Sequence, residues 1–145
     1  MTTKRSLRSW GNSAAGSVAN FRTDVIEIVK FGYSSCHSHK GLANGFILVS
    51  GAVDIIQDDD TLSPCELRTP GDSCLVMPDV LHQFFALEDS VIVEFYVAAG
   101  IVNWDGLPPY DITRHSQNGI AAESTGMAYL DGRKPRWIGA TISPK

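Results

Sequence analysis

The sequence predicts an all-β fold, a sandwich or barrel of short strands. Three observations carry this. Apolar runs of five to eight residues, rich in Val, Ile and Phe, recur through the first hundred residues. Turn-forming residues separate them, among them Gly32, Asn44–Gly45, Gly51, Pro70–Gly71 and Pro78–Asp79. No stretch up to residue 100 keeps a helical apolar period over three turns.

The elements follow in chain order. Asp24–Phe31 (DVIEIVKF) is the first run and ends at Gly32. Phe46–Ser50 (FILVS) and Ala52–Gln57 (AVDIIQ) flank Gly51. Asp58–Asp60 reads as a hairpin tip between Ala52–Gln57 and Cys65–Arg68, where charge blunts the edge. Ser73–Met77 (SCLVM) and His82–Leu87 (HQFFAL) lie either side of Pro78–Asp79. Val91–Ala98 (VIVEFYVA) splits into two faces, Val91, Val93, Phe95, Val97 and Ile92, Glu94, Tyr96, Ala98. Either face fits the interior; if the second does, Glu94 and Tyr96 stand in or beside a cavity.

A chain of 145 residues, 43% apolar, is the size of one domain with a real core. Residues 22–100 are expected to form the barrel, with 1–21 as an irregular N-terminal arm. Residues 101–145 hold four of the seven prolines and little β-branched density. They read as an extension packed on the barrel, with one short helix within Ile120–Leu130 and Trp104, Tyr110 and Trp137 as anchors.

A net charge of −4 excludes a generally basic nucleic-acid binder. No apolar run approaches the roughly 18 residues of a membrane span. Lys4, Arg5 and Arg8 precede a small, polar stretch and read as a solvated terminus, without the apolar core of a secretory signal. Cys36, Cys65 and Cys74 are odd in number and lack CxxC spacing, so reduced thiols in the cytoplasm are expected.

The chemistry concentrates at Cys36-His37-Ser38-His39. In an extended strand His37 and His39 share a face, and paired imidazoles begin a divalent transition-metal site. Cys36 points to the opposite face and reads as a small buried hydrophobe. His82 alternates with Phe84 and Ala86, so it is polar on an apolar face.

These residues, with Gly51 seven positions after Asn44 and Gly71 before Met77-Pro78-Asp79-Val80-Leu81-His82, resemble the cupin family over about residues 22–99. The family's first motif is a histidine pair, a glutamate and then a glycine. The second is a glycine, a proline-rich turn and a histidine. Asn44 stands at the glutamate position, Met77 and Asp79 at the turn proline and glycine, and Ala86 at a frequent asparagine.

The resemblance implies a double-stranded β-barrel of jelly-roll type. His37, His39 and His82 would point into one mouth and hold a divalent metal (Fe, Mn, Ni or Zn), with Asn44 facing the same mouth. A sandwich lets His82 reach the pair across the core. Without the family's carboxylate, three neutral imidazoles leave the ion's charge intact, which favours acidifying a bound water or polarising a carbonyl. The opposite reading is that the loss of that carboxylate marks a weakened site.

A narrower similarity links the chain to the sugar-phosphate cupins, the type II mannose-6-phosphate isomerase branch. It rests on Arg8-Ser9-Trp10-Gly11, Val49-Ser50-Gly51, Glu94 and Asp111-Ile112-Thr113-Arg114. Isomerisation needs a base near the substrate and an electrophile on the carbonyl. Glu94 or Glu27 is the candidate base, and Tyr96 a second proton carrier. Arg114 suits either an anionic group or a structural salt bridge, and His115 reads as surface.

Three function classes follow. The first is a metal-dependent enzyme on a carbonyl-bearing small molecule, with a three-histidine Fe(II) dioxygenase as a branch. The second is a non-catalytic barrel that binds a sugar or metabolite. The third is a scaffold whose barrel pairs into a homodimer, with Trp10 and the C-terminal arm as candidate contacts. None needs nucleic acid or a membrane.

Overall fold

The computed structural model describes residues 2–58, 64–100, 104, 112–133 and 135–139. Two antiparallel sheets face each other. The first runs, in spatial order, β1 (Thr2–Arg8), β2 (Gly11–Val18), β3 (Phe21–Ile28), β11 (Ser90–Ala98), β6 (Leu42–Ser50) and β9 (Ser73–Val76). The second runs β12 (Ile112–Arg114), β5 (His37–His39), β10 (His82–Ala86), β4 (Gly32–Tyr33) and β13 (Gly119–Ile120). In it, β7 (Val53–Gln57) also pairs with β10, and β8 (Cys65–Leu67) with β7.

Alternation makes the core. Ile26, Phe46, Leu48 and Ile92 from the first sheet meet Val53, Ile55, Phe84 and Ala86 from the second. The second sheet is covered on its other face too. Phe31, Cys36 and Phe85 pack there against Tyr129 of α1 (Glu123–Leu130) and against Trp137 and Ile138. This is why all of His82–Ala86 is buried. His82, Phe84 and Ala86 look into the barrel, while Gln83 and Phe85 look towards the C-terminal layer. Gln83 ties that layer down, donating to the Ser34 and Ile138 carbonyls and accepting from Ile138 N.

The expected strands are present, and β7 pairs antiparallel with β8. Asp58 pairs with Arg136 at 2.9 Å, whereas Asp59 and Asp60 lie outside the described residues. Gly51 ends β6 at φ +92, where a Cβ would meet Ser90 Oγ at 2.2 Å, so its motif position is a backbone requirement.

The N-terminal segment differs from the expectation of an irregular arm. β1 and β2 form a hairpin in continuous register, Thr2 opposite Ser17 through Arg8 opposite Gly11, and extend the first sheet. Their inner positions, such as Ser6, Ser13 and Ala15, line a cavity instead of the apolar core. Hence no apolar alternation marks them. The C-terminal part contributes β12 and β13 as short edge strands, and the helix falls within the expected Ile120–Leu130.

Trp104 donates to the Ala19 carbonyl at 2.7 Å and packs on Leu42 and Ala98. Trp137 is buried as expected, and Tyr110 lies outside the described residues. Trp10 is not available as a dimer contact. It is 6% exposed and meets the Phe84 ring edge-on at 5.3 Å.

Candidate metal centre and its cavity

Strand β5 is only three residues long, and its alternation turns His37 and His39 inward together. Strand β10 pairs with it so that His82 stands directly opposite His37. The third histidine is therefore a lateral neighbour in the same sheet, not a partner across the core as the sandwich argument implied. The ring centroids lie 4.5, 4.9 and 5.4 Å apart, and one nitrogen from each ring falls within 4.8 Å of the others. Nitrogens bound tetrahedrally to one ion at about 2.1 Å stand about 3.4 Å apart. Holding one ion would therefore require the widest pair to close by somewhat more than about an ångström, a rotation of the rings towards one another.

Asn44, on β6 of the facing sheet, is the residue that reaches across. It is fully buried; its Oδ1 lies 2.8 Å from His82 Nε2, and its Nδ2 donates to the Phe95 carbonyl at 3.2 Å.

The proton positions make this arrangement informative. A carbonyl only accepts, so contact with Ser35 O at 2.8 Å puts a proton on His37 Nδ1, and contact with Val80 O at 2.9 Å puts one on His82 Nδ1. In the neutral rings each Nε2 is then a lone pair. His82 Nε2 thus faces the Asn44 amide oxygen, acceptor to acceptor. Turning the amide over moves the same conflict to the Phe95 carbonyl. A second proton on His82 would resolve it, but burial pushes that imidazole down to about 4. A shared cation resolves it directly, because both atoms are ligands.

His39 adds an independent sign. It is 2% exposed, and neither ring nitrogen has a hydrogen-bond partner among the described residues. A buried orphan polar group costs about 1–3 kcal/mol. Burial, then His82 and Arg114, lower its pKa to about 3. Burial first, then His82 and His39, holds His37 well below the ordinary range. All three rings are neutral at pH 7, the form that binds metal. The donor set and its unsatisfied nitrogens fit a divalent transition ion.

An acid–base group adjoins the cluster on the first sheet. The face of β11 bearing Ile92, Glu94 and Ala98 is the inward one. Tyr96 donates to Glu94 Oε1 at 2.7 Å, and its ring meets His39 at 5.1 Å. Burial first, then Asp24, raise Glu94 to about 8 against the hydrogen bonds from Tyr96 and Asn44.

Asp24 stands opposite Glu94 on β3, and Arg22 opposite Tyr96. Arg22 pairs with Asp24 at 3.3 Å and lies over the Tyr96 ring at 5.9 Å. Burial raises Asp24 as well, with Arg22 pulling the other way. Asp24 and Arg22 escaped the sequence reading. The available signal was Asp24 in phase with Ile26 and Ile28 on one buried face.

These groups border a cavity of about 290 Å³. Arg114 stands on its wall, opposite His37 in the β12–β5 register, and has no carboxylate partner among the described residues. Glu27 is exposed, accepts from Asn12 Nδ2 at 3.1 Å and is not a base for this cavity. Cys36 is fully buried in the other apolar layer, where burial pushes its thiol up to about 12. His115 is exposed, and Asp111 lies outside the described residues.

KdgF from Halomonas sp. superposes with a TM-score of 0.54 at 17% identity, covering 66% of this chain and 84% of that one. An RmlC-like cupin from Shewanella frigidimarina gives 0.57 at 17%, covering 72% and 89%. The fold is the cupin double-stranded β-helix. Bacillus subtilis oxalate decarboxylase gives 0.61 at 12%, with 77% of this chain matched to 30% of the longer enzyme. No protein-family model matches the chain, and no curated protein matches its sequence. No helix among the described residues is long and apolar enough to cross a membrane.

Within this cupin fold, Asn44→Glu is expected to tighten retention of Zn²⁺ against a chelator, because a carboxylate adds charge beside three neutral imidazoles. Unchanged chelator resistance would place residue 44 away from the ion.

Proposed function

We propose that the chain is a metal-dependent cupin that moves a proton on a small carbonyl-bearing molecule, a sugar or sugar phosphate, in an isomerase-like reaction. The observation that carries the reading is the buried, unpartnered His39 beside two imidazoles whose outer nitrogens are already tied to backbone carbonyls. A divalent ion held by His37, His39 and His82, with Asn44 beside them, supplies a Lewis acid for a carbonyl oxygen.

The chain's own residues do the rest. Glu94, raised to about 8, stands near the pH at which a carboxyl both gives and takes a proton. Tyr96 fixes its orientation through Oε1, and the Asp24–Arg22 pair holds charge beside it. Arg114 on the wall is placed for the anionic end of a ligand. Free thiols at Cys36, Cys65 and Cys74 support a cytoplasmic setting.

The test uses metal-loaded protein and fructose 6-phosphate in D₂O, followed by proton NMR. Deuterium should enter at the carbon beside the carbonyl, and Glu94→Gln should slow this by about 10²–10⁴-fold. No exchange with this probe or with simple aldose phosphates and keto acids would overturn the reaction class. The three neutral donors also favour a second reading, an Fe(II) dioxygenase. Oxygen uptake by the Fe(II)-loaded protein separates the two. Ligand binding without either activity would leave a non-catalytic module.

A further inference from the structure

Two of the three thiols come together at the open edge of the barrel. Among the described residues β8 pairs with β7 alone and β9 with β6 alone, so no backbone ladder joins β8 to β9. In the β7–β8 register Cys65 stands opposite Ile55, and in the β6–β9 register Cys74 stands opposite Phe46. Directly opposite residues of an antiparallel pair share a face. Ile55 and Phe46 are buried in one core from the two sheets, so the two cysteines enter that core from either side. Cys65 packs on the apolar cluster that contains Cys74. Its Sγ donates to the Ser73 carbonyl oxygen at 3.9 Å, on the peptide unit that leads into Cys74.

The two thiols differ in access. Cys65 is half-buried, whereas Cys74 is 8% exposed. Gln57 Nε2 donates to Cys74 Sγ at 3.4 Å, and a donor there favours the thiolate. Cys36 is fully buried in the apolar layer on the far side of the second sheet.

We propose that Cys65 and Cys74 are a reversible redox pair, joined by a disulfide that ties the two sheets together when the protein meets a hydroperoxide. The accessible thiol reacts first. Cys65 sulfur attacks one oxygen of hydrogen peroxide; the O–O bond breaks, a sulfenic acid forms and one water leaves. Cys74 sulfur then attacks the Cys65 sulfur, the S–S bond forms and the second oxygen leaves as water. Both thiol protons end in the two waters, and the peroxide is the oxidant consumed. The long S–H to carbonyl contact at Ser73 is weak, so it does not hold the Cys65 side chain away from Cys74. In a reducing setting such a pair rests as thiols and oxidises only transiently. The link lies beside the three histidines, since β9 borders Asn44 through Val76 and Gln57 stands opposite His82. It does not depend on a metal being bound there.

Peptide mapping of the full chain tests this, with the protein kept in EDTA, treated with hydrogen peroxide and then alkylated in denaturant. Trypsin cuts after Lys40, Arg68 and Arg114 and so leaves each cysteine on its own peptide. The expected product is one intrachain link between the Cys65 and Cys74 peptides, an intact mass lower by about 2 Da, and an alkylated Cys36. Dithiothreitol should return all three thiols. In Cys74→Ser, Cys65 should stop at the sulfenic acid and be captured by dimedone. In Cys65→Ser, Cys74 should stay reduced at the same dose. A link through Cys36, or links only between chains, would overturn the proposal. So would Cys65 and Cys74 both still alkylated after peroxide and after the thiol oxidant diamide.

Discussion

Replacing His39 by leucine is expected to abolish metal binding and, at the same time, to make the metal-free protein more stable. Both effects come from the same two atoms. The His39 ring is 2% exposed with neither nitrogen partnered among the described residues, so in the metal-free protein it carries an unpaid desolvation cost. Leucine removes both polar atoms at similar volume, and the gain is about 1–3 kcal/mol. Alanine would remove them too but leave a cavity, which offsets the gain. Urea unfolding in EDTA reads the stability, and calorimetric titration with Zn²⁺ reads the binding. A leucine variant less stable than the wild type would mean that His39 is satisfied in the metal-free state.

The second large effect is acid sensitivity of the metal-free protein. Folded His39 and His82 protonate only near 3 and 4, and His37 is likewise held well below the ordinary value of 6.5. As pH falls below 6.5 the unfolded chain takes up protons that the folded chain refuses. Stability from these rings is therefore complete above 6.5 and is lost as pH drops towards 4. Each ring contributes a slope of up to about 1.4 kcal/mol per pH unit.

Glu94 has the opposite sign. Raised from 4.5 to about 8, it holds a proton in the folded state that the unfolded state has lost, so its contribution fades as pH rises through 8. Three rings outweigh one carboxyl on the acid side, which places the stability maximum between about pH 6 and 7. Urea midpoints measured in EDTA from pH 4.5 to 8.5 should rise steeply to that maximum and then decline gently. A flat profile below pH 6.5 would mean that the imidazoles are not buried together.

Much of this is legible in the sequence. Runs such as Phe46–Ser50 and Val91–Ala98 declare themselves because one face meets the core of the other sheet. The pair His37–His39 is legible because two residues apart on a strand is same-face by construction. What stays hidden depends on register between distant segments. Nothing local states that His82 lies beside His37 within one sheet, or that Asn44 is the group reaching across. Nor does it pair Asp24 with Glu94, 70 positions apart in the chain.

The hairpin β1–β2 is hidden for a different reason. A strand that walls a polar cavity with serine and alanine carries no apolar period. Trp10 misled for a related reason, since an isolated tryptophan at a hairpin turn gives no sign of which side it packs on.

The central claim is that His37, His39 and His82 form one metal site, and anomalous diffraction from crystals soaked in Zn²⁺ tests it most directly. The account predicts a single strong peak about 2.0–2.2 Å from one nitrogen of each ring, with His37 and His82 keeping their Nδ1 contacts to Ser35 and Val80. Zinc bound elsewhere on the molecule, with no peak among these three imidazoles, would contradict it.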